Sequence, residues 1–119
     1  MSSQSIEQSP TTDAQRRGHM AALSVAEQIV SISPVAPTHV RATCRDYAAD
    51  KPSVDVYFHR SAGGVEELAE VLGADVTTRP NGDEDPRPFT SMVTVMAGVS
   101  VQAWTLGDES TVAVVAVAR

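Results

Sequence analysis

The sequence has little cysteine, few aromatic residues and no long apolar run, and each shortage excludes something. Cys44 is the only cysteine in 119 residues, so the chain forms no disulfide within itself, which is typical of a reducing compartment. The longest apolar run, VAVVAVA at 112–118, is far shorter than the ~20 residues of a membrane helix. The first residues are polar and lack the apolar region of a signal peptide. We therefore predict a soluble, cytoplasmic protein with no membrane contact.

Aromatic residues make up only 4% of the chain, whereas hydrophobic residues make up 42%. That hydrophobic fraction is ordinary for a globular protein, and a chain of this length can bury a core of its own. The core must be built from Val, Ala, Leu, Ile and Met. We predict a disordered polar tail over residues 1–11 and a single domain over 12–119.

Basic residues are also few, with nine Lys and Arg against fifteen Asp and Glu and a net charge of −6. The second half is the more acidic: residues 61–119 hold nine of the acids and three arginines. An acidic chain without a basic stripe repels a phosphate backbone. Nucleic-acid binding is therefore disfavoured, although a small basic patch in the first half stays open.

Apolar spacing predicts two helices. The first covers about 12–31 and begins with a capping-box pattern at Thr12–Gln15. The second follows the cap residue Ser61 and ends at Gly73, where a helix-terminating glycine belongs.

Alternation of apolar and polar residues predicts six strands. They cover 38–45, 54–59, 75–79, the two arms of a hairpin over 90–105 that turns at Ala97–Gly98, and 111–119. The stretch PNGDEDPRP at 80–88 is expected to be a mobile acidic loop. The order α-β-β-α-β-β-β-β indicates an α+β fold, with two helices packed on one face of a mainly antiparallel sheet.

This pattern resembles a group of small uncharacterised proteins of actinobacteria and their phages. The resemblance covers about residues 14–110 and is carried by VDVYFH, LAEVLGADVTTR and the hairpin arm GVSVQAW. The group has no assigned activity, so the resemblance implies a fold and an accessory role in a phage, another mobile element or such a host. It carries over no functional residues.

The stretch FHRSAGGVEE raises the question of an anion site, because a glycine turn before a helix can hold a phosphate. The candidate residues are Arg60, Ser61, Gly63 and Gly64. The Lys and Ser/Thr of a P-loop are missing, and two carboxylates in the first turn already complement the helix dipole. An ordinary strand-to-helix connection is the simpler interpretation. A small-molecule enzyme with a site near Arg60 and Ser61 is the third of three functional hypotheses.

Patterns for metal binding and catalysis are missing. If strands 38–45 and 54–59 pair, His39 and His59 share a face of the sheet, but Cys44 lies on the opposite face. No CxxC, HxH or HExxH spacing occurs. Cys44 is expected to be a small core residue rather than a reactive thiolate. We therefore predict no metal site and no cofactor, and a non-enzymatic protein is favoured over an enzyme.

The sheet face that points away from the helices is the predicted interaction surface. If the strand valines, including Val93 and Val95, point toward the helices, the other face carries residue types that are typical of interface hot spots. These residues are Arg41, Tyr57, His59, Met92, Met96 and Trp104. In the alternative register of one strand, the two methionines belong to the core instead.

The leading hypothesis is a non-enzymatic protein-interaction or assembly protein. It would use the exposed sheet face or the last strand to bind a second copy of itself or another protein. The alternative is a small nucleic-acid or nucleotide-binding protein. In that case Tyr57 and Trp104 would stack on bases, while Arg41, Arg45 and Arg60 contact phosphates.

Overall fold

A computed structural model describes residues 10–108 and contains two helices and five strands in that part of the chain. The helices are α1 (Pro10–Ile32) and α2 (Ala62–Leu72). The strands are β1 (His39–Thr43), β2 (Ser53–Tyr57), β3 (Val76–Gly82), β4 (Asp85–Met96) and β5 (Val99–Leu106), with a 3₁₀ turn at Asp46–Ala48. The predicted last strand over 111–119 lies outside the described residues.

The five strands form one sheet in the order β1-β2-β5-β4-β3. β2 and β5 run parallel at its centre, and the other neighbours are antiparallel. Side chains of both helices join one core on a single face of the sheet. The predicted α+β class, with two helices on one face of a mainly antiparallel sheet, is therefore confirmed.

Helix α1 begins earlier than the sequence pattern suggested. Pro10 and Thr11, assigned to the tail, are helical, so a cap at Thr12 is wrong. The Gln15 side chain instead donates from Nε2 to the Cys44 carbonyl at 2.9 Å. Gly18 is buried, and a Cβ there would clash with Sγ of Cys44. A glycine at this position therefore lets α1 approach the end of β1 closely.

The core lies between the helices and the sheet. Ala22, Val25 and Ile29 of α1 are buried at helical spacing. They pack with strand residues and with α2 in one cluster, whose other members are Val54, Val56, Phe58, Val65, Leu68, Ala69, Met92, Val99, Val101 and Ala103. Helix α2 ends as predicted at Gly73, which has φ 69°. Neither described helix is long and apolar enough to cross a membrane.

The segment 80–88 is a hairpin end and not the expected mobile acidic loop. β3 and β4 continue through it, with Pro80 opposite Pro88 and Gly82 opposite Asp85. The Asp85 carboxylate accepts from Nε and Nη2 of Arg87 at 2.9 and 2.7 Å, and from Nδ2 of Asn81 at 2.8 Å. Arg87 thus neutralises part of the acidic charge, and strand pairing persists to the tip.

The two faces of β4 are the reverse of the prediction. The hairpin turns at Ala97–Gly98, as predicted, with φ 50° and 79°. This turn pairs Met96 with Val99 and Met92 with Ala103. Met92 is 1% exposed in the core. The placement of Met92 and Met96 on the interaction surface is therefore wrong, because antiparallel partners share a face and both partners point inward.

A candidate binding surface on the sheet

The side of the sheet that faces away from the helices is called here the outer face. Alternation along four strands directs to it the side chains of His39, Arg41, Asp55, Tyr57, Phe89, Val93, Val95, Gln102, Trp104 and Leu106. Of the predicted interaction residues, the structure brings Arg41, Tyr57, His59 and Trp104 to this side. Within residues 10–108 both helices pack on the opposite side of the sheet.

Tyr57 lies at the centre of an aromatic cluster. Because β2 and β5 are parallel neighbours, Tyr57 stands opposite Trp104, and their ring centroids are 4.5 Å apart. The rings of His39 and His59 lie 5.1 and 6.0 Å from Tyr57. The Tyr57 hydroxyl is also hydrogen-bonded to Nδ1 of His59 at 2.9 Å. Such ring pairs contribute roughly 0.5–1.5 kcal/mol each beyond their buried area, so the cluster holds its shape.

Phe89 and Arg79 extend this cluster across the sheet, and sequence reasoning missed both. The Phe89 ring stacks on Trp104 with centroids 6.0 Å apart and an angle of 27° between the planes. The Arg79 guanidinium lies 5.3 Å from the Phe89 centroid, within range of a cation–π interaction. Assigning 80–88 to a loop had left Phe89 without a strand partner. The continued hairpin pairs Arg79 with Phe89, and this register is not visible in the sequence pattern.

Asp55 fixes the indole of Trp104. Nε1 of Trp104 donates to both carboxylate oxygens at 3.1 Å. Asp55 also stands directly opposite Arg41 in the pairing of β1 with β2. Its carboxylate nevertheless accepts from the indole and forms no ion pair with Arg41. The ion pairs found within residues 10–108 are Arg16–Asp13 and Arg87–Asp85. Arg41 is therefore an exposed cation without a carboxylate partner in the described part of the chain.

Two open depressions join into a groove along the outer face. The first, of about 660 Å³, is lined by residues that include Arg41, Arg45, Ser53, Asn81 and Trp104. The second, of about 480 Å³, continues from Arg45 and Ser53 to Tyr47, Lys51 and Val95. Because the two share Arg45 and Ser53, we treat them as one feature, called the groove. Asn81 belongs to β3, at the far side of the sheet from β1, so the hairpin end leans over the face.

Arg60 lies apart from this groove. It lines a third depression, of about 350 Å³, together with Thr78, Thr90, Thr105 and Asp108 among others. The structure therefore does not bring Arg60 together with Arg41 and Arg45.

The threonine hydroxyls in this third depression already have partners. Thr105 Oγ1 accepts from the Ser61 amide at 3.1 Å, and Thr78 and Thr90 bond each other at 3.1 Å. Neither histidine nor cysteine lines it. Among residues 10–108, the lining of this depression therefore pairs no hydroxyl or thiol with a histidine base.

The SAGG turn has a structural explanation. Ser61 caps α2 as predicted, and its Oγ accepts from the Gly64 amide at 3.0 Å. A Cβ at Gly64 would lie 2.5 Å from Cδ1 of Phe58, so only glycine lets the helix pass over this buried ring.

One prediction about the same turn is wrong. Helix α2 begins at Ala62 and has no acidic residue in its first turn. Glu66 and Glu67 therefore lie one turn too late to complement the positive end of the helix dipole. The capping bond and the Phe58 contact account for Ser61 and Gly64 without a bound anion.

Residues 10–108 contain no group of three or more His, Cys, Asp or Glu side chains arranged to hold a metal ion. His39 and His59 flank Tyr57 instead, and buried Cys44 lies on the other face and donates to the Ala49 carbonyl at 3.4 Å. No protein-family model matches the chain, and no curated protein matches it either. The groove and the aromatic cluster are therefore interpreted from their own chemistry.

Proposed function

We propose that this is a non-enzymatic protein-interaction protein that binds another protein through the outer face of its sheet. One observation carries the proposal: an aromatic and arginine surface lies on the side of the sheet where neither described helix packs. Trp, Tyr and Arg are the residue types that dominate binding energy at protein interfaces. Val93 and Val95 add exposed apolar area to the same face, at 63% and 68% exposure, and such contiguous patches mark interaction sites.

The ring geometry supports a protein partner over single-stranded nucleic acid. Base stacking needs an aromatic ring with a free face. Tyr57 has three ring neighbours, and Trp104 has Tyr57 and Phe89 against it. The net charge of −6 also works against a polyanion at long range. The nucleic-acid alternative therefore takes second place.

A different protein is a better partner than a second copy. Two outer faces brought together would place the exposed arginines of both copies within one interface, and like charges there cost free energy. An isologous dimer through this face is therefore disfavoured. The last strand, the other surface suggested for self-association, lies outside the described residues.

The place of action is part of the proposal. The lone unpaired cysteine supports a cytoplasmic location. The resemblance of the GVSVQAW arm to proteins of actinobacteria and their phages supports an accessory role in a phage or mobile element.

Affinity purification from cells that naturally produce the protein tests the proposal. We expect the wild-type chain to retain a stoichiometric protein partner, and both Trp104→Ala and Arg41→Glu to lose it. Arg41 is exposed, so its variant keeps the fold even if the Trp104 variant is destabilised. Val71 is exposed on α2, away from the outer face. Val71→Ser is therefore the matched control and should keep the partner. Retention of the same partner by all four proteins, or by none, would contradict the proposal.

A further inference from the structure

We infer that the partner presents an extended segment in which acidic and apolar residues alternate, and that this segment lies in the groove. The inference rests on the proposed function, because it requires the outer face to be the binding surface. It follows from the different chemistry of the two edges of the groove, from the groove's length and from the geometry of an extended chain.

One edge of the groove is cationic. Arg41 of β1, Arg45 just beyond it and Lys51 before β2 line this edge, and all three are exposed. Within residues 10–108 none of them forms an ion pair. The carboxylates that line the groove are Asp50 and Asp55, and Asp55 is held by the Trp104 indole. Three cations against two carboxylates leave this edge positive, and its charge complements an acidic partner.

The other edge is apolar. Trp104 and Leu106 of β5 and Phe89 and Val95 of β4 line it. The sheet order β1-β2-β5-β4 separates this edge from the cationic one. Polar side chains of Ser53 on β2 and Gln102 on β5 also line the groove. A bound segment therefore meets arginine and lysine on one side and aromatic and aliphatic side chains on the other.

The length and form of the groove match an extended segment. Outward-facing side chains of β5 from Ser100 to Leu106 line its length, a span of about 20 Å at the usual rise of a strand. About six extended residues fill that length. Successive side chains of an extended chain point to opposite sides, so alternating acidic and apolar residues would each reach their own edge. Charge and aromatic area would also admit single-stranded nucleic acid, but the net charge of −6 works against a polyanion at long range.

Selection from a displayed library of random peptides of about 12 residues tests the inference, with the full chain as bait. We expect the selected peptides to alternate Asp or Glu with apolar residues. The protein has a single tryptophan, Trp104, so its fluorescence reports directly on the groove. The double variant Arg41→Gln, Arg45→Gln should weaken the binding of a selected peptide roughly tenfold or more, because charge-assisted contacts are lost. Arg60→Gln, an exposed arginine outside the groove, is the control and should bind as the wild type does.

The outcomes separate this inference from the proposed function. Selected peptides that lack acids, but lose binding in Trp104→Ala and Val95→Ser, overturn the inference and leave the proposed function standing. Selected peptides whose binding is unchanged by every outer-face substitution contradict both the inference and the proposed function. An oligothymidylate of about 15 nucleotides is tested in the same fluorescence assay at low salt. If it shifts Trp104 fluorescence and no peptide does, the partner is single-stranded nucleic acid and not a protein.

Discussion

Phe58 shows how one side chain fixes its neighbours in this fold. Its ring is 1% exposed and lies directly under the first turn of α2, where a glycine is required. The next residue, His59, points to the other side and bonds Tyr57. Two adjacent residues thus serve the core and the outer face, and strict alternation of the strand made both assignments possible from sequence.

The glycines of the SAGG turn give a test of this packing. We expect Gly64→Ala to lower the free energy of unfolding by roughly 1–3 kcal/mol, because the added methyl group overpacks against Phe58. Gly63→Ala is the matched control, since a Cβ there meets no atom within 4 Å. It should stabilise the protein by about 0.5–1 kcal/mol through helix propensity. Urea unfolding measures both, and equal effects of the two substitutions would contradict the contact.

Asp85 gives a prediction about pH. The side-chain bonds from Arg87, and then from Asn81, hold the pKa of Asp85 well below its ordinary value of 3.8. A carboxyl whose pKa is lowered by folding stabilises the folded state above its unfolded pKa, and loses this contribution as pH falls through the folded pKa. The hairpin bonds should therefore persist at pH 4 and weaken only below about 3.8.

Carbon-13 NMR of the Asp85 carboxyl measures this titration. We expect a midpoint below 3.8 in the wild type and a higher midpoint in Arg87→Gln, which removes the main partner. The effect on global stability should be small, because the carboxylate is partly exposed and its charge is screened by solvent. A midpoint that does not change with the Arg87 substitution would rule out the hairpin network as its cause.

Strand β4 has apolar side chains on both of its faces. Apolar residues occupy both of its alternating sets, Met92 and Met96 on one and Val93 and Val95 on the other. The pattern alone could not decide which set faces the helices. The two-residue turn at Ala97–Gly98 did contain the answer, because it pairs Met96 with inward-facing Val99. Turn geometry was therefore a better guide to the face than residue type.

Paired substitutions in β4 test its orientation. Met92→Ala should cost about 2–5 kcal/mol, as for other buried large-to-small changes. Val93→Ala should cost less than about 1 kcal/mol, because Val93 is 63% exposed. Thermal or urea unfolding of both variants measures the difference. A larger loss for Val93→Ala than for Met92→Ala would mean that β4 has the opposite face toward the helices.

The other helices and strands were predicted correctly where the deciding residues are close together in the sequence. The cap at Ser61 and the stop at Gly73 depend on residues within one turn of the helix, and the sequence predicted both. The continuation of β3 and β4 through 80–88 depends on Arg87 reaching Asp85 and on pairing across the turn. A stretch rich in Pro, Gly and Asp otherwise favours a loop. The sequence pattern did not reveal that α1 begins at Pro10. A capping-box pattern inside a helix looks the same as one at the helix N-terminus.

Charge is organised by layers across the whole molecule, and the net value of −6 conceals this. Glu66, Glu67 and Glu70 are exposed on α2, in the helical layer, while Arg41 and Arg79 lie on the outer face. A surface with local positive charge therefore exists on an acidic protein. Arg41 and Arg79 lie on different strands, β1 and β3, so the sequence shows no run of basic residues at this surface. Two of the aromatic residues were predicted for this surface, and the third, Phe89, required the hairpin register.

Footprinting of the outer face by hydroxyl radicals is the most direct test of the claim that this face binds a protein. Oxidation of Trp104 and Phe89 would be measured by mass spectrometry in nuclease-treated lysate of producing cells and in the purified chain. We expect both residues to be oxidised less in the lysate, because the partner covers them. Met20, which is 65% exposed on α1, should be oxidised equally in the two samples. Equal oxidation of Trp104 in both samples, with Met20 unchanged, would show an uncovered face and contradict the account.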